Sequence, residues 1–138
     1  MTAPGANFNE QVIEEFRANE GRVGGRFEGR ELLLLHHTGA RSGAEYVNPL
    51  ACARDGERYV VFASAGGRPR NPGWYHNLLA HPHTTIEVGT ETVAVSASVA
   101  APDERERLYR VQAERQPQFA EYQRSTDRTI PVVILTPS

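Results

Sequence analysis

The sequence contains no lysine. All 15 basic residues among its 138 are arginines, which stand against 17 acidic residues and leave a formal charge of −2. A chain without lysine has no Schiff-base amine and no Gly-Lys phosphate-binding loop, because both chemistries need a lysine side chain. The near-balance of charge also argues against nonspecific nucleic-acid binding, so we expect no nucleic-acid partner.

Cysteine and long apolar runs are also scarce. Cys52 is the single cysteine, so no internal disulfide can form, which fits a reducing cytoplasm. Apolar runs such as the four leucines at 32–35 fall far short of the roughly 20 residues that a membrane-spanning helix needs. The N-terminus has no basic segment followed by an apolar one, so we predict a cytoplasmic protein without a signal peptide.

The apolar residues that are present predict one domain over residues 1–138, with an N-terminal helix and loop at 1–30 and a barrel core at 31–136. Strands are predicted at 31–37, 45–54, 58–63, 84–88, 91–99 and 131–136, and helices at 8–18, 72–80, 102–115 and around Phe119 and Tyr122. Because hairpins join most strands, a doubly wound parallel sheet is disfavoured. We predict a small antiparallel β-barrel with flanking helices, a mainly β (α+β) fold in which closure hides the sheet edges.

Several turn and helix signals accompany these elements. Pro49 predicts a bulge, a bend or an edge in its strand, while Asp55-Gly56 and Gly89-Thr90 predict hairpin turns. The N-terminal helix carries one apolar stripe, which could pack on the domain, cover a site or touch a membrane. Acidic residues at 10, 14 and 15 disfavour an anionic membrane, so packing or a lid is the prediction. A glycine-rich stretch at 21–29 predicts a loop.

The segment 64–77 is the most unusual part of the chain. Its glycines free the backbone to approach a ligand, and Asn71-Pro72 is typical of a helix start, with Asn71 as the N-cap. Two arginines and the single tryptophan, Trp74, adjoin that start. The pattern indicates an anion site beside an aromatic platform. The alternative is a surface loop, a capped helix and a core tryptophan.

A second cluster lies at 38–50. Arg41 sits in a turn bounded by glycines, where a guanidinium can meet a phosphate or carboxylate with two parallel hydrogen bonds. Asn48, beside Pro49, could offer its amide to a polar ring edge. An ordinary strand–turn–strand is the alternative.

Five stretches occur together in an order and spacing typical of one family. They are Thr38-Gly39-Ala40-Arg41-Ser42-Gly43, Val47-Asn48-Pro49-Leu50, Ala63-Ser64-Ala65-Gly66-Gly67, Asn71-Pro72-Gly73-Trp74-Tyr75-His76-Asn77-Leu78 and Ile130-Pro131-Val132-Val133. Over residues 31–136 the chain resembles the deazaflavin-dependent nitroreductases, also called deazaflavin-dependent quinone reductases. The resemblance implies a split β-barrel related to those that bind flavin mononucleotide. It also implies hydride transfer from reduced coenzyme F-420 to a small acceptor such as a quinone or nitro compound.

The resemblance also implies roles for individual residues. Arg41 would lie near the acidic tail of the coenzyme, and Asn48 and Pro49 by the deazaflavin or its ribityl chain. The phosphate would be surrounded by Ser64, Ala65, Gly66 and Gly67, and the cofactor channel would be lined by Gly73 and Trp74. Relatives often carry a lysine where this chain has Ala65.

Hydride transfer needs no protein nucleophile, but a proton donor for the reduced acceptor is useful, and Tyr122 is the candidate catalytic residue. Packing of Tyr122 on Phe119 is the alternative interpretation. We expect no metal site, because His81 and His83 have no matching cluster of ligands, and we expect Cys52 to be a core residue.

Two functional alternatives remain open on this barrel. One is a reductase with flavin mononucleotide as cofactor, and the other is a non-catalytic carrier of a tetrapyrrole or lipid. For the coenzyme F-420 reductase and for both alternatives, the expected assembly is a monomer or a homodimer.

Overall fold

The computed structural model describes residues 4–24 and 31–138. The glycines predicted to form a loop at 25 and 29 lie outside these residues. The helices are α1 (Pro4–Ala18), α2 (Gly73–Ala80), α3 (Pro102–Arg115) and α4 (Gln118–Arg124), with a short 3-10 helix at Ala65–Gly67. The strands are β1 (Leu32–Thr38), β2 (Glu45–Asp55), β3 (Arg58–Phe62), β4 (His83–Val88), β5 (Glu91–Val99) and β6 (Val132–Pro137).

The strands form a closed antiparallel barrel in the order β1-β2-β3-β6-β5-β4, which confirms the predicted fold class. β1 is apolar on both faces because it is covered on both. Leu33 and Leu35 pack inside the barrel, and Leu32 and Leu34 pack outside it against α1. Each is at most 4% exposed, so this strand anchors one wall of the barrel.

Helices cover two outer faces of the barrel. Val12 and Phe16 place α1 on the outside of β1, which supports the packing interpretation of the N-terminal helix. On the far side, α3 and α4 pack on β3 and β6 through a cluster that includes Leu108, Tyr109 and Phe119. None of these described helices is long and apolar enough to cross a bilayer.

Pro49 marks the place where the barrel wall opens. β2 pairs with β1 from residue 45 to 51, but it pairs with β3 only from Cys52 to Asp55. Pro49 lies opposite Leu34 in the first stretch, where the other edge of β2 has no partner strand in the described chain. A residue without an N–H is tolerated at such an edge. The predicted edge is therefore observed, and it borders the clefts described below.

Hairpin turns close the neighbouring strands. The turn after β2 lies at 56 and 57, one residue later than predicted, because Asp55 still pairs with Arg58. Gly56 has φ +64°, the left-handed conformation that makes glycine favourable there. Gly89, with φ +58°, occupies the turn predicted between β4 and β5.

An ion-pair cluster fixes α1 to the barrel. Arg17 Nη2 lies 2.7 Å from Glu87 Oε2 on β4, and His36 Nε2 lies 2.7 Å from the same oxygen. The hydrogen bond from Arg17 is the main reason that the pKa of Glu87 lies below its usual value of 4.5.

We expect Glu87→Gln to lower the free energy of unfolding by about 1 kcal/mol at neutral pH, since one neutral amide cannot replace a carboxylate shared by two partners. A carboxyl group whose pKa falls on folding stabilises the fold above its unfolded pKa and loses that contribution as the pH drops through the folded pKa. The difference between wild type and variant should therefore shrink below pH 4.5. Urea unfolding across this range measures it. Glu91→Gln, an exposed change in the same hairpin, serves as the control, and equal effects of both variants would contradict the prediction.

Candidate active site

Two adjoining clefts occupy the split in the barrel. The larger, of about 840 Å³, lies between the turn after β1, the unpaired edge of β2 and the start of α2. The smaller, of about 210 Å³, lies between that edge and the chain that follows β3. Pro72 and Trp74 line both clefts, so the two clefts adjoin and are treated together as one candidate site.

Most of the predicted site residues lie on these walls. The larger cleft is lined by Arg41, Asn48, Gly73 and Trp74. The smaller cleft is lined by Pro49, Ser64, Ala65 and Gly66, again with Trp74. Segments far apart in sequence are therefore neighbours in space. Gly67 and Tyr122 are not among the described residues that line either cleft.

Trp74 combines two of the interpretations made from sequence. Its side chain is 7% exposed and belongs to the core cluster inside the barrel. It also lines both clefts, so a core tryptophan here serves as a wall between them.

The loop after β3 has a backbone shaped for an anion. Ser64 is right-handed helical, and Ala65, Gly66 and Gly67 follow with φ values of +49°, +66° and +83°. A right-handed residue followed by a left-handed one turns successive N–H groups into a common concavity. No described residue accepts from the N–H groups of Ala65 and Gly66, which are left for a ligand.

Gly67 lies behind this loop and holds it against α4. A Cβ at Gly67 would come within 3.0 Å of the Tyr122 carbonyl oxygen and of the Ser125 Cβ, so the close approach requires glycine. Gly67 therefore shapes the loop from behind.

Arg128, which sequence reasoning missed, organises the same loop. Its guanidinium donates to the carbonyl oxygens of Ala63 (3.1 Å), Ser64 (2.8 Å) and Arg68 (2.9 Å). It also donates to Asn71 Oδ1 at 2.6 Å. Burial lowers the pKa of this guanidinium. Because these carbonyl groups face Arg128, the N–H groups of the loop take no part in this contact and can face a ligand on another side.

The contact with Arg128 corrects the predicted role of Asn71. Asn71 does not cap α2, because its side-chain oxygen is occupied by the guanidinium. The helix begins at Gly73, and Pro72 takes the capping position with an extended backbone and no side-chain hydrogen bond. No local pattern could have indicated this, since Arg128 is 57 residues away.

Arg41 brings an uncompensated positive charge to the larger cleft. Its side chain is exposed, and no described carboxylate pairs with it. Arg54 and Arg58, in contrast, form ion pairs with Glu31 and with Asp55 and Glu104. The guanidinium of Arg41 is thus available to a ligand anion.

His37 forms the polar floor of the larger cleft. Its Nε2 lies 2.7 Å from Asn48 Oδ1, and its Nδ1 lies 2.9 Å from Asn77 Nδ2. His36, its neighbour, points to the opposite face and bonds Glu87, as alternation along a strand predicts. This network was not predicted from the sequence, because no local pattern sets His37 apart.

Two other predicted residues have clear surroundings. The Tyr122 ring packs edge-to-face on Phe119, with centroids 5.3 Å apart, so the packing interpretation is observed and a catalytic role stays a prediction. Cys52 is 3% exposed, and burial raises the pKa of its thiol to about 12. Such a thiol is a core residue and not a nucleophile at neutral pH.

Comparison with known proteins identifies the family to which the chain belongs. The family described as F420H(2)-dependent quinone reductase matches residues 9–137. This chain belongs to that family. A family member from Mycobacterium tuberculosis, an F420H(2)-dependent quinone reductase, is 42% identical over 125 residues, which cover 88% of this chain and 84% of that protein. The family resemblance predicted from the five sequence stretches is confirmed.

Solved structures agree with this assignment. An F420-H2 dependent reductase superposes with a TM-score of 0.69 at 36% identity, covering 75% of this chain and 92% of that one. A chain solved as a domain-swapped dimer gives a TM-score of 0.71 at 32% identity, covering 96% and 99%. HutZ, a heme storage protein from Vibrio cholerae, has a TM-score of 0.60 at 20% identity over 94% of this chain and 89% of its own, and shares the fold alone.

In this quinone reductase family member, we expect Arg128→Ala to loosen the loop at 64–71 by removing four hydrogen bonds. Arg128→Lys should restore little, because one ammonium cannot match the planar fork that reaches these acceptors. Both variants should unfold more easily, by about 2–4 kcal/mol, since they leave several carbonyl groups without a partner.

Thermal unfolding and hydrogen exchange of the loop amides measure these effects. Arg124→Ala, which breaks an exposed ion pair with Glu121, is the control. Full rescue by Arg128→Lys would contradict the predicted fork geometry.

Proposed function

We propose that this protein transfers a hydride from reduced coenzyme F-420 to a quinone or another electron-poor acceptor, with the coenzyme held in the two clefts of the barrel split. Family membership confirms the predicted enzyme class and the deazaflavin coenzyme. The observation that carries the proposed site is the convergence, on clefts that share Trp74, of a guanidinium and a concavity of N–H groups that have no partner among the described residues.

The donors on these walls fit the chemistry of the coenzyme. Its tail carries a phosphate and carboxylates, which need cations and N–H donors. Arg41 would meet the tail, and the N–H groups of Ala65 and Gly66 would meet the phosphate. Gly73, exposed at the first turn of α2, leaves the helix start open to the larger cleft. Arg68 and Arg70 are exposed on the adjoining loop and add positive charge.

The protein contributes binding, orientation and exclusion of water. The bound coenzyme supplies the hydride from carbon 5 of its deazaflavin ring. Trp74, Pro49 and Leu50 provide apolar walls that can hold a flat ring and keep water from the reacting carbon. Asn48 offers a polar contact to the ring or to its ribityl chain.

The alternatives made from sequence have weaker support. The barrel shared with HutZ at 20% identity carries the fold and no argument for a carrier of a tetrapyrrole or lipid. Flavin mononucleotide stays a less favoured cofactor, since the family match specifies the deazaflavin. A cytoplasmic location and a homodimer complete the proposal, the dimer supported by the relative solved as a domain-swapped dimer.

Titration with oxidised coenzyme F-420, followed by its fluorescence, tests the proposal together with menadione reduction. We expect binding at micromolar coenzyme, and Arg41→Ala should weaken it by about 1–3 kcal/mol, the contribution of a charge-assisted contact. Arg110→Ala, at an exposed position on α3, should leave affinity unchanged. Equal affinity of the Arg41 and Arg110 variants would remove Arg41 from the site. Absence of both binding and turnover in the wild type would overturn the function itself.

Tyr122→Phe tests the predicted proton donor. The substitution keeps the aromatic ring that packs on Phe119 and removes only the hydroxyl. If the hydroxyl donates a proton, kcat for menadione should fall roughly 100-fold, while coenzyme affinity should stay the same. Tyr75→Phe is the matched control, because Tyr75 lines a separate groove near β5. Equal kcat in both variants would leave Tyr122 with packing as its role.

A further inference from the structure

A chain of hydrogen bonds joins four elements along the wall of the larger cleft. It begins at the turn after β1, where the Ala40 N–H donates to Asn77 Oδ1 at 2.9 Å. It continues through α2, where Asn77 Nδ2 lies 2.9 Å from His37 Nδ1. It ends on β2, where His37 Nε2 lies 2.7 Å from Asn48 Oδ1. We call this set of four residues the relay.

Only one direction of donation satisfies every bond in the relay. A backbone N–H can only donate, so Asn77 Oδ1 accepts from Ala40 and Asn77 Nδ2 donates onward. His37 Nδ1 must then accept, which places the proton of the neutral imidazole on Nε2. His37 Nε2–H donates to Asn48 Oδ1. The Asn48 amide is therefore oriented with its oxygen toward His37 and its Nδ2 away from it.

The Nδ2 group of Asn48 is the open end of the relay. Asn48 is half-buried and lines the larger cleft. Within the described ranges, no residue accepts a hydrogen bond from Nδ2. Two N–H donors at a fixed position are thus left for whatever occupies the cleft.

We propose that His37 and Asn77 are positioning residues that lock the Asn48 amide as a donor, so that the ligand atom meeting it must be a hydrogen-bond acceptor. Carbonyl, hydroxyl and phosphate oxygens of the coenzyme meet this requirement. The ring N–H of the deazaflavin does not, because two donors would face each other. The relay therefore selects how the coenzyme lies in the cleft. The identity of the ligand rests on the proposed function, but the polarity of the relay does not.

The relay requires a neutral His37. An imidazolium would carry a hydrogen on Nδ1 facing the Asn77 donor, and turning the Asn77 amide would set its NH₂ against the Ala40 N–H. The surroundings favour the neutral form, since the side chain is 5% exposed and burial lowers its pKa. The hydrogen bond to Asn48 acts in the opposite direction, and His36 adds to the lowering. On β2, Tyr46 stacks on the ring with centroids 5.4 Å apart, and the charge of Glu45 acts to raise the pKa of His37. From the turn and from α2, Arg41 and His76 line the same cleft.

The tautomer of His37 can be read directly in the unmodified protein. Imidazole nitrogen chemical shifts from ¹H–¹⁵N correlation spectra should show Nε2 protonated and Nδ1 unprotonated near neutral pH, without any coenzyme present. A proton on Nδ1, or an imidazolium, would overturn the proposal. This measurement decides the polarity of the relay even if the protein binds no coenzyme, so it separates failure of the inference from failure of the proposed function.

Asn77→Asp should reverse the relay in a pH-dependent manner. A carboxylate can only accept, so His37 Nδ1 must donate, and the adjacent negative charge should raise the pKa of His37. At low pH the imidazolium still donates to Asn48 and preserves its orientation. As the pH rises through the raised pKa, His37 Nε2 becomes an acceptor and the Asn48 amide turns over.

Coenzyme affinity of the Asn77→Asp variant should therefore fall as the pH rises through the pKa of His37, a dependence that wild type lacks in this range. The affinity ratio to wild type at each pH removes the titration of the coenzyme itself. A purely structural loss would weaken binding equally at every pH, and a flat ratio would overturn the proposal.

Asn48→Asp replaces the locked donor by an acceptor of the same shape. We expect coenzyme affinity to fall by at least about tenfold, the scale of one lost hydrogen bond with a repulsive contact in its place. Asn19→Asp, an isosteric change at the end of α1, should leave affinity unchanged. Unchanged affinity in Asn48→Asp would overturn the proposal.

The same titration with a deazaflavin that carries only the ribityl chain locates the acceptor. Loss of affinity for both ligands places it on the ring or ribityl chain, and loss only for the full coenzyme places it on the tail. Either result supports a hydrogen-bond acceptor at Asn48.

Discussion

The loss of pairing between β2 and β3 is the constraint on which the site depends. In an uninterrupted barrel the edge of β2 around Pro49 would be hydrogen-bonded to β3, and no cleft could form there. Because Pro49 has no N–H, a full ladder on this edge would leave a gap in any case. The chain after β3 diverges into the loop at 64–71 instead, and both clefts lie against the open edge of β2. Closure through β6 and β4 keeps the rest of the barrel intact.

Strands and helices could be predicted to within a few residues because their signals are local. Alternation, paired turn residues and apolar stripes each act within one element, and the observed bounds of β5 and α3 match the predicted ones. The packing of α1 was left open, because an apolar stripe such as the one that includes Phe16 does not show what covers it. The predicted capping role of Asn71 was wrong for a similar reason, since its partner, Arg128, comes from a segment far along the chain.

In the candidate site too, local signals could be predicted from sequence and long-range contacts could not. Residues with a distinctive local context, such as Arg41, Trp74 and the glycines after β3, could be singled out from sequence. Residues that act by connecting elements could not, because His37 and Arg128 carry no local pattern that differs from an ordinary strand end or loop. Their roles depend on three-dimensional convergence of chain segments, which is set by barrel closure. Sequence spacing therefore predicted residues that line the clefts but not the side chains that hold those residues in place.

The absence of lysine can be related to the arginines and backbone donors of the candidate site. At the proposed phosphate position a lysine would supply one mobile charge, whereas this chain has Ala65, in a left-handed conformation. Arg128 reaches four oxygens with fixed geometry and so orients the loop, and Arg41 leaves its charge to the larger cleft. A planar guanidinium can thus hold a loop in one conformation as well as supply a charge. In the proposed function, coenzyme binding then depends on backbone donors that a distant arginine holds in place. A substitution at Arg128, which is not among the described residues that line either cleft, would act on the site through the loop.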